Sequence, residues 1–363
     1  MLIHLDETLH HQASRPFRMV GVSDHRFFDR YWFEALDPAG EVAVIAGLAF
    51  YKNMGTCDGF VSVQRHHWQH NLRLARPLTD DIDRTQLGPL EVTVIEPFRH
   101  LRLRLGSNDS GMALDLEWRS DFPPYAEAHH LDVEGARVTQ DSTRYDQVGR
   151  WDGWVELDDE RFEADDWWGV RDHSWGIRPG VGGFELPAER AEPRLWIWAC
   201  FSTSEWVCQF QLREDGAGNR TYFDGQLDHR LDDGRASVRA LDVSHDISFI
   251  AGTRAYDHAR HRLILEDGRV LEVEAEPLGR AWAYRGTGYS NGYHDGRGLG
   301  AWRGDVVEHD VYDLSHPEDV LVDGSPAVAG HREQPVRLVV DGAASLGHLP
   351  VMTRGAIARY NLA

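Results

Sequence analysis

The chain has 363 residues, 42% of them hydrophobic, which suits one large or two medium globular domains and excludes an intrinsically disordered polymer. Its 59 Asp and Glu against 38 Lys and Arg leave a formal charge of −21, which argues against nucleic acid or an anionic membrane surface as partner, since both reward clustered basic groups. Cys57, Cys200 and Cys208 form neither a CxxC pair nor a disulfide framework. Met1 to Glu7 lacks a basic-then-apolar leader, and no run nears the roughly 20 apolar residues needed to span a bilayer. The expectation is a cytoplasmic protein without stable membrane insertion; the sequence leaves its oligomeric state open.

Taken in order, the chain shows short β-branched and aromatic runs broken by Gly, Asp, Asn or Pro, with little helical periodicity. Phe28–Leu36 and Val42–Tyr51 read as strands about an Asp37-Pro38-Ala39-Gly40 turn, with Phe60–Gln69 next. Leu90–Glu96 and Leu101–Leu105 flank Pro97, which marks a bend or an edge. Met112–Arg119, the surroundings of Val138 and Val148–Leu157 continue the rhythm up to a central motif at 165–179. Gly180 to Pro193 is rich in breakers and reads as a linker. Strands resume at Leu195–Ser202, Trp206–Arg213, Thr221–Leu227 and Ala236–Val243. His261–Glu266 and Val270–Glu276 flank Asp267-Gly268, a hairpin signal, and Trp282–Tyr289, Gly300–Tyr312 and Val336–Val340 follow. The spacing predicts an all-β fold of two tandem antiparallel barrels or sandwiches, residues 1–185 and 186–363. A short match between Leu90-Glu91-Val92 and Leu271-Glu272-Val273, each close before Glu-Pro, is weak support for duplication.

The central motif reads Trp167-Trp168-Gly169-Val170-Arg171-Asp172-His173-Ser174-Trp175-Gly176. As a strand it puts Trp168, Val170, Asp172 and Ser174 on one face, and Trp167, Arg171, His173 and Trp175 on the other. A carboxyl group among apolar neighbours stays protonated to higher pH, as a general acid requires. Arg171, Asp172 and His173 would equally suit a polar latch that closes a barrel or docks two domains.

This tryptophan-rich Asp-His-Ser-Trp-Gly segment, following a strand-rich first half, resembles the carotenoid 1,2-hydratase (hydroxyneurosporene synthase) family and, with it, tocopherol cyclases and some fungal Diels–Alderases. The resemblance implies tandem lipocalin-like barrels without metal or organic cofactor. It also implies proton-initiated chemistry on an alkene, in which a carbocation forms and is trapped by water or an internal nucleophile. Asp172, Trp175 and Gly176 carry over to the family motif, with Asp172 matching the family's acid. Arg171 and His173 join Asp172 as catalytic candidates. Trp168, Trp175, Trp196, Trp198, Trp282, Tyr289, His294 and Trp302 are candidate contacts to a small hydrophobic substrate, since aromatic faces stabilise a cation. Each is, taken singly, also a core-filling or loop residue.

Other clusters point less far. The glycines between Gly286 and Gly300 do not form GxGxxG and suggest a long loop at a barrel mouth, with His294 there either exposed or facing Asp172. His66, His67 and His70 cannot converge from one strand, and with His129 and His130 they lack metal-ligand spacing, so no metal is expected. Ser174 lacks a nucleophile elbow, and Cys57 beside Asp58 is not activated. The leading expectation is a cofactor-independent lyase or isomerase of hydratase or cyclase type, acting on an isoprenoid-like or polycyclic substrate. The alternatives are a carrier of hydrophobic ligands and a pericyclic enzyme.

Overall fold

The structure is a computed structural model that describes residues 2–182, 192–316, 319–322, 325–328 and 332–363. It is all-β and antiparallel, as the sequence rhythm predicts, with a half-barrel sheet followed by a closed barrel of eight strands. The expected boundary at 185/186 lies outside the described residues.

Twelve strands come from the first half of the chain: β1 (Phe27–Leu36), β2 (Val42–Tyr51), β3 (Thr56–Arg65), β4 (Trp68–Pro77), β5 (Gln86–Leu87), β6 (Leu90–Glu96), β7 (His100–Leu105), β8 (Met112–Arg119), β9 (Tyr125–Ala126), β10 (His130–Glu134), β11 (Arg137–Leu157) and β12 (Glu160–Ile177). The second half supplies β13 (Arg194–Ser202), β14 (Trp206–Asp215), β15 (Arg220–His229), β16 (Val238–Phe249), β17 (Tyr256–Leu265), β18 (Val270–Pro277), β19 (Trp282–Ala283), β20 (Val306–Asp313), β21 (Asp319–Val322), β22 (Ser325–Val328), β23 (Arg332–Glu333), β24 (Pro335–Val340), β25 (Ala343–His348) and β26 (Val351–Arg354). The first sheet runs β22-β21-β20-β4-β3-β2-β1-β12-β11-β8-β7-β6-β5, with β9 and β10 on β11. The barrel runs β14-β15-β16-β17-β18-β24-β25-β13 and closes where β13 meets β14.

Burial follows the residue pattern. Met112–Arg119 alternates buried and half-exposed positions, as a strand with one solvated face must. In β2, Val-Ala-Val-Ile-Ala-Gly-Leu-Ala-Phe-Tyr is apolar throughout and buried at nearly every position. The reason is that both faces of the sheet are covered here. The enclosed face holds a core of Phe33, Val44, Leu103, Trp118, Trp151 and Trp167, among others. The opposite face packs Trp32, Ile45, Phe60, Trp168 and Val170 against Trp198, Cys200 and Val207 of the barrel and Trp282 of a crossing segment.

Several boundaries differ from expectation. Phe60–Gln69 is not one strand: the chain turns at His66 (φ 55°) between β3 and β4, and His67 stands in the same turn. The region around Val138 and Val148–Leu157 is a single 21-residue strand, hairpinned to the 18-residue strand that carries the central motif. Trp282–Tyr289 keeps strand geometry only at Trp282–Ala283, then turns into a 3-10 helix over Tyr284–Thr287. Gly300–Tyr312 becomes a strand only from Val306, and it pairs with β4 of the first sheet. The Asp267-Gly268 hairpin forms as read, with Gly268 at φ 86° and Leu265 N–H donating to the Arg269 carbonyl.

The segment before β20 lies across β3 and β4. Gln69 holds Ala283 through both backbone groups (2.9 and 2.8 Å), the Arg73 guanidinium donates to the Gly286 carbonyl (3.0 Å), and Gly300 N–H donates to Asp58 (2.7 Å). A Cβ on Gly286 would stand 2.1 Å from the Asn71 side-chain oxygen, so the close approach demands glycine.

One buried charge cluster ties sheet, barrel and crossing segment together. His348 of β25 lies 2.8 Å from Glu34 of β1 through Nδ1, and 2.8 Å from Glu333 through Nε2. The Trp282 indole donates to the other Glu34 oxygen (3.1 Å). Burial alone would lower the His348 pKa, but the charges and hydrogen bonds of Glu34 and Glu333 outweigh it and raise it to about 9. A histidine raised in the folded state contributes stability that is complete below its unfolded pKa of about 6.5 and is lost as pH rises through the folded value. Thermal melts should therefore show a melting temperature that falls between about pH 6.5 and 9. His348→Gln should cost roughly 3 kcal/mol at pH 6 and abolish that slope. A wild-type melting temperature that stays flat across the window contradicts the assignment.

Candidate functional site

Strand β12 lies between β1 and β11, and its side chains divide as the alternation predicts: Trp167 joins the enclosed core, whereas Trp168 and Val170 join the cluster facing the barrel. Gly169 has a specific reason to be glycine. The Trp151 indole crosses it to donate to the Glu34 carbonyl (2.8 Å), and a Cβ there would stand 2.2 Å from the indole nitrogen.

Asp172 sits on the barrel-facing side, in register with Trp32 of β1 and Asp146 of β11. Three carboxyl groups gather here around one guanidinium. Arg144 donates to Glu127 (2.7 Å) and lies 3.7 Å from Asp146 and 3.8 Å from Asp172, with its charge 4.9 Å above the Trp198 ring. The Trp198 indole reaches from the barrel to donate to Asp146 (3.1 Å), and His130 pairs with Glu127 (2.7 Å). Gln211 of β14 also donates to Glu127.

The electrostatics of the three acids diverge. Burial and the neighbouring Glu127 charge push Asp146 well above the usual carboxylate range. Burial opposes ionisation of Glu127 too, but the Arg144 charge and the His130 hydrogen bond win and hold it low. Asp146 is thus the protonated partner of an ionised Glu127. Asp172 is raised by burial, against the charges of Arg144 and Arg30. Its side chain keeps 12% of its surface exposed while that of Asp146 keeps 1%, so of these two acids with raised pKa Asp172 is the more accessible. Ser174 donates weakly to it (3.4 Å).

The wall beside Asp172 is cationic and aromatic. Arg30 is buried with its charge 4.6 Å from the Tyr289 ring, and no carboxylate lies within ion-pairing distance of it among the described residues. Arg178 donates to the Tyr289 hydroxyl (3.2 Å), and Tyr289 stacks on Tyr284 with ring centroids 4.9 Å apart. Such surroundings can hold a neutral carboxylic acid beside aromatic faces, with cations ready to stabilise the carboxylate left after proton transfer.

The sequence candidates fall into three places. Asp172, Trp168, Trp198, Trp282 and Tyr289 share the sheet–barrel interface, with Trp196 packed against the same cluster. Trp168 donates to Ser202 (3.1 Å) and Trp196 to Gln211 (3.2 Å). Arg171, His173 and Trp175 lie on the enclosed face, separated from Asp172 by the sheet itself: Arg171 bonds Tyr145 and Gln147, while His173 bonds Tyr145 and Asp29. His294 does not face Asp172. It is exposed and sits 3.5 Å from Glu308 and 3.4 Å from Asp310, and Trp302 is 56% exposed.

Sequence reading missed Arg30, Glu127, Arg144 and Asp146. The only available signal was alternation: Arg144, Asp146 and Val148 share a face, two of them polar where a solvated strand would be unremarkable. Nothing in the sequence showed that a second domain would cover that face.

Comparisons with known proteins place the fold. No curated protein matches the chain. Among solved structures, the candidate AttH NE1406 of Nitrosomonas europaea superposes with a TM-score of 0.54 at 15% identity, covering 92% of this chain and 94% of that one. Two structures of CghA, one with Sch210972, give TM-scores of 0.44 and 0.43 at 8% and 10% identity, each covering 92% of this chain and 89% of the other. The first of these likenesses concerns architecture alone, and the other two are too distant to carry an argument. Residues 2–324 match the sequence pattern of a family of unknown function, DUF8625, and the chain belongs to that family.

Proposed function

We propose that this protein is a cofactor-independent lyase or isomerase of hydratase or cyclase type that protonates an alkene of a hydrophobic substrate in the crevice between the first sheet and the barrel. The observation that carries the reading is Asp172, a carboxyl group at the interface of sheet and barrel whose pKa burial raises although two arginines oppose it, and whose side chain keeps 12% of its surface exposed. In this scheme neutral Asp172 gives its proton to an alkene carbon, the π pair forms the new C–H bond, and the adjacent carbon becomes cationic. The Asp172 carboxylate left behind is stabilised by Arg144 at 3.8 Å and by Arg30. The aromatic faces at the crevice, Trp198 and Tyr289 among them, shield the cation until water or an internal nucleophile traps it. Arg30 and Arg178 suit a substrate that carries an oxygen-rich or anionic group at the Tyr289 end. The apolar character of the rest of the interface, with Trp168, Val170 and Trp282, favours an isoprenoid-like or polycyclic body in this scheme.

Asp172→Asn keeps the shape and removes the transferable proton, so turnover on an alkene substrate should fall by about 10²–10⁴-fold. The sign for stability is opposite to that of a latch. A carboxyl raised in the folded state loses stability as pH climbs from its unfolded value to its folded one, so removing it should leave the neutral-pH melting temperature unchanged or higher. Turnover and melting are measured on the same preparations. Full activity in the variant removes the acid role, and lost activity with a collapsed melting temperature assigns Asp172 to the architecture instead.

Arg144→Met separates architecture from chemistry. It leaves Glu127 buried without its main counter-charge, and urea unfolding at pH 7 should show a loss of about 3–5 kcal/mol. The loss should shrink at pH 5, where Glu127 can take up a proton. An equal loss at both pH values contradicts the charge assignment.

A further inference from the structure

Arg171 poses a separate problem on the other face of the same strand. Its side chain is among the largest fully buried ones in the protein, yet no carboxylate pairs with it among the described residues. Nη1 donates to the Tyr145 hydroxyl (3.1 Å) and Nη2 to the Gln147 amide oxygen (2.7 Å), while Nε finds no partner. The charge lies 4.7 Å from the Trp118 ring and 5.1 Å from that of Tyr145. Buried Arg73 holds Glu308 and Asp310 and half-buried Arg144 holds Glu127, whereas only Arg30, on the opposite face, shares the lack of a carboxylate among these four. Asp29, an acid on this face, is taken by His173 (2.9 Å) and faces Lys52 (3.7 Å). An uncompensated buried cation costs several kcal/mol, and rings with two neutral acceptors repay only part of that.

From Arg171 a chain of aromatic rings leads outward to the surface through half-buried Tyr145. Tyr31 packs on His173 (4.5 Å), and Tyr145 contacts both Phe98 (5.5 Å) and Trp175 (6.5 Å). Trp175 is 37% exposed and Phe98 45%, and the β6–β7 hairpin end that carries Phe98 also exposes Ile95. An apolar rim above a buried, unpaired guanidinium has the polarity of a site for a molecule with one anionic head and an apolar body.

We propose that the enclosed face of the first sheet binds a long-chain monocarboxylate, its head on Arg171 and its apolar body along Tyr145, Phe98 and Trp175. The site is independent of the Asp172 crevice, from which the sheet divides it. The probe is cis-parinaric acid, whose conjugated tetraene brightens in an apolar site, titrated into the delipidated full-length chain beside its methyl ester. The acid should bind saturably and the ester at least about tenfold more weakly, because only the acid makes a charged hydrogen bond to the guanidinium. Arg171→Met should reduce acid binding to the level of the ester and leave ester binding unchanged. Equal affinity for acid and ester, or no binding of either, overturns the proposal. So does acid binding that survives in Arg171→Met and vanishes in Arg30→Met, which would put the carboxylate in the crevice. Should Arg171→Met fail to fold by circular dichroism, the acid–ester comparison in Arg30→Met decides the matter: the acid preference must survive there, and its loss overturns the proposal.

Discussion

Strand β12 is covered on both faces, and no polar group along its middle can rely on water. That constraint organises the interior around it. A half-open sheet of this size would normally solvate one face and alternate cleanly, as β8 does. Here the barrel docks on the outer face, so Asp172, Asp146, Glu127 and Glu34 find their partners in Arg144, in the crossing segment or in the barrel. The result is a layer of buried charge between two apolar cores, cross-linked by donors from the barrel: Trp198 to Asp146, Gln211 to Glu127 and His348 to Glu34. Buried ion pairs seldom add net stability, but they make the alternatives expensive, since separating sheet from barrel strands several charges at once.

The same layer separates proton affinities within a few ångströms. Burial and the Glu127 charge push Asp146 up while the Arg144 charge holds Glu127 down, so Arg144 decides which of the two carboxyls gives way. Asp172 stands at the edge of that pair, raised by burial but the more accessible. Environments that push neighbouring carboxyls apart are where acid and base roles are usually found, and this one arises only where sheet and barrel meet. The enclosed face follows the opposite rule. There the charges are few, Arg171 is held by neutral acceptors and rings, and its unfilled valence is what suggests a ligand.

The local elements were legible because their signals are local. Most strand runs, the Asp267-Gly268 hairpin and the bend at Pro97 depend on residues a few positions apart and form as read, whereas Phe60–Gln69 is split by the turn at His66. The division of the central motif into a Trp168/Asp172 face and an Arg171/His173 face follows from the two-residue period of a strand, and the packing agrees. Where glycine is dense the reading overextended strands. Between Trp282 and Gly300 the backbone follows a surface set by Gln69, Asn71 and Arg73, which are more than 200 positions away in the chain.

By itself, then, the sequence determined the all-β class, the strand periodicity and which residues of the motif share a face, since each is written in nearest-neighbour chemistry and in a period of two. Tertiary structure alone decided which of those faces would be buried again by a second domain, because docking is a property of whole surfaces. It brought Arg144, Asp146 and Glu127 to Asp172, carried His294 away to Glu308 and Asp310, and returned residues 306–313 to the first sheet beside β4. None of these contacts has a local cause. Each exists because burying apolar area on both sides of one sheet outweighs the cost of placing the charges between them, and that balance can be struck only once both surfaces are formed.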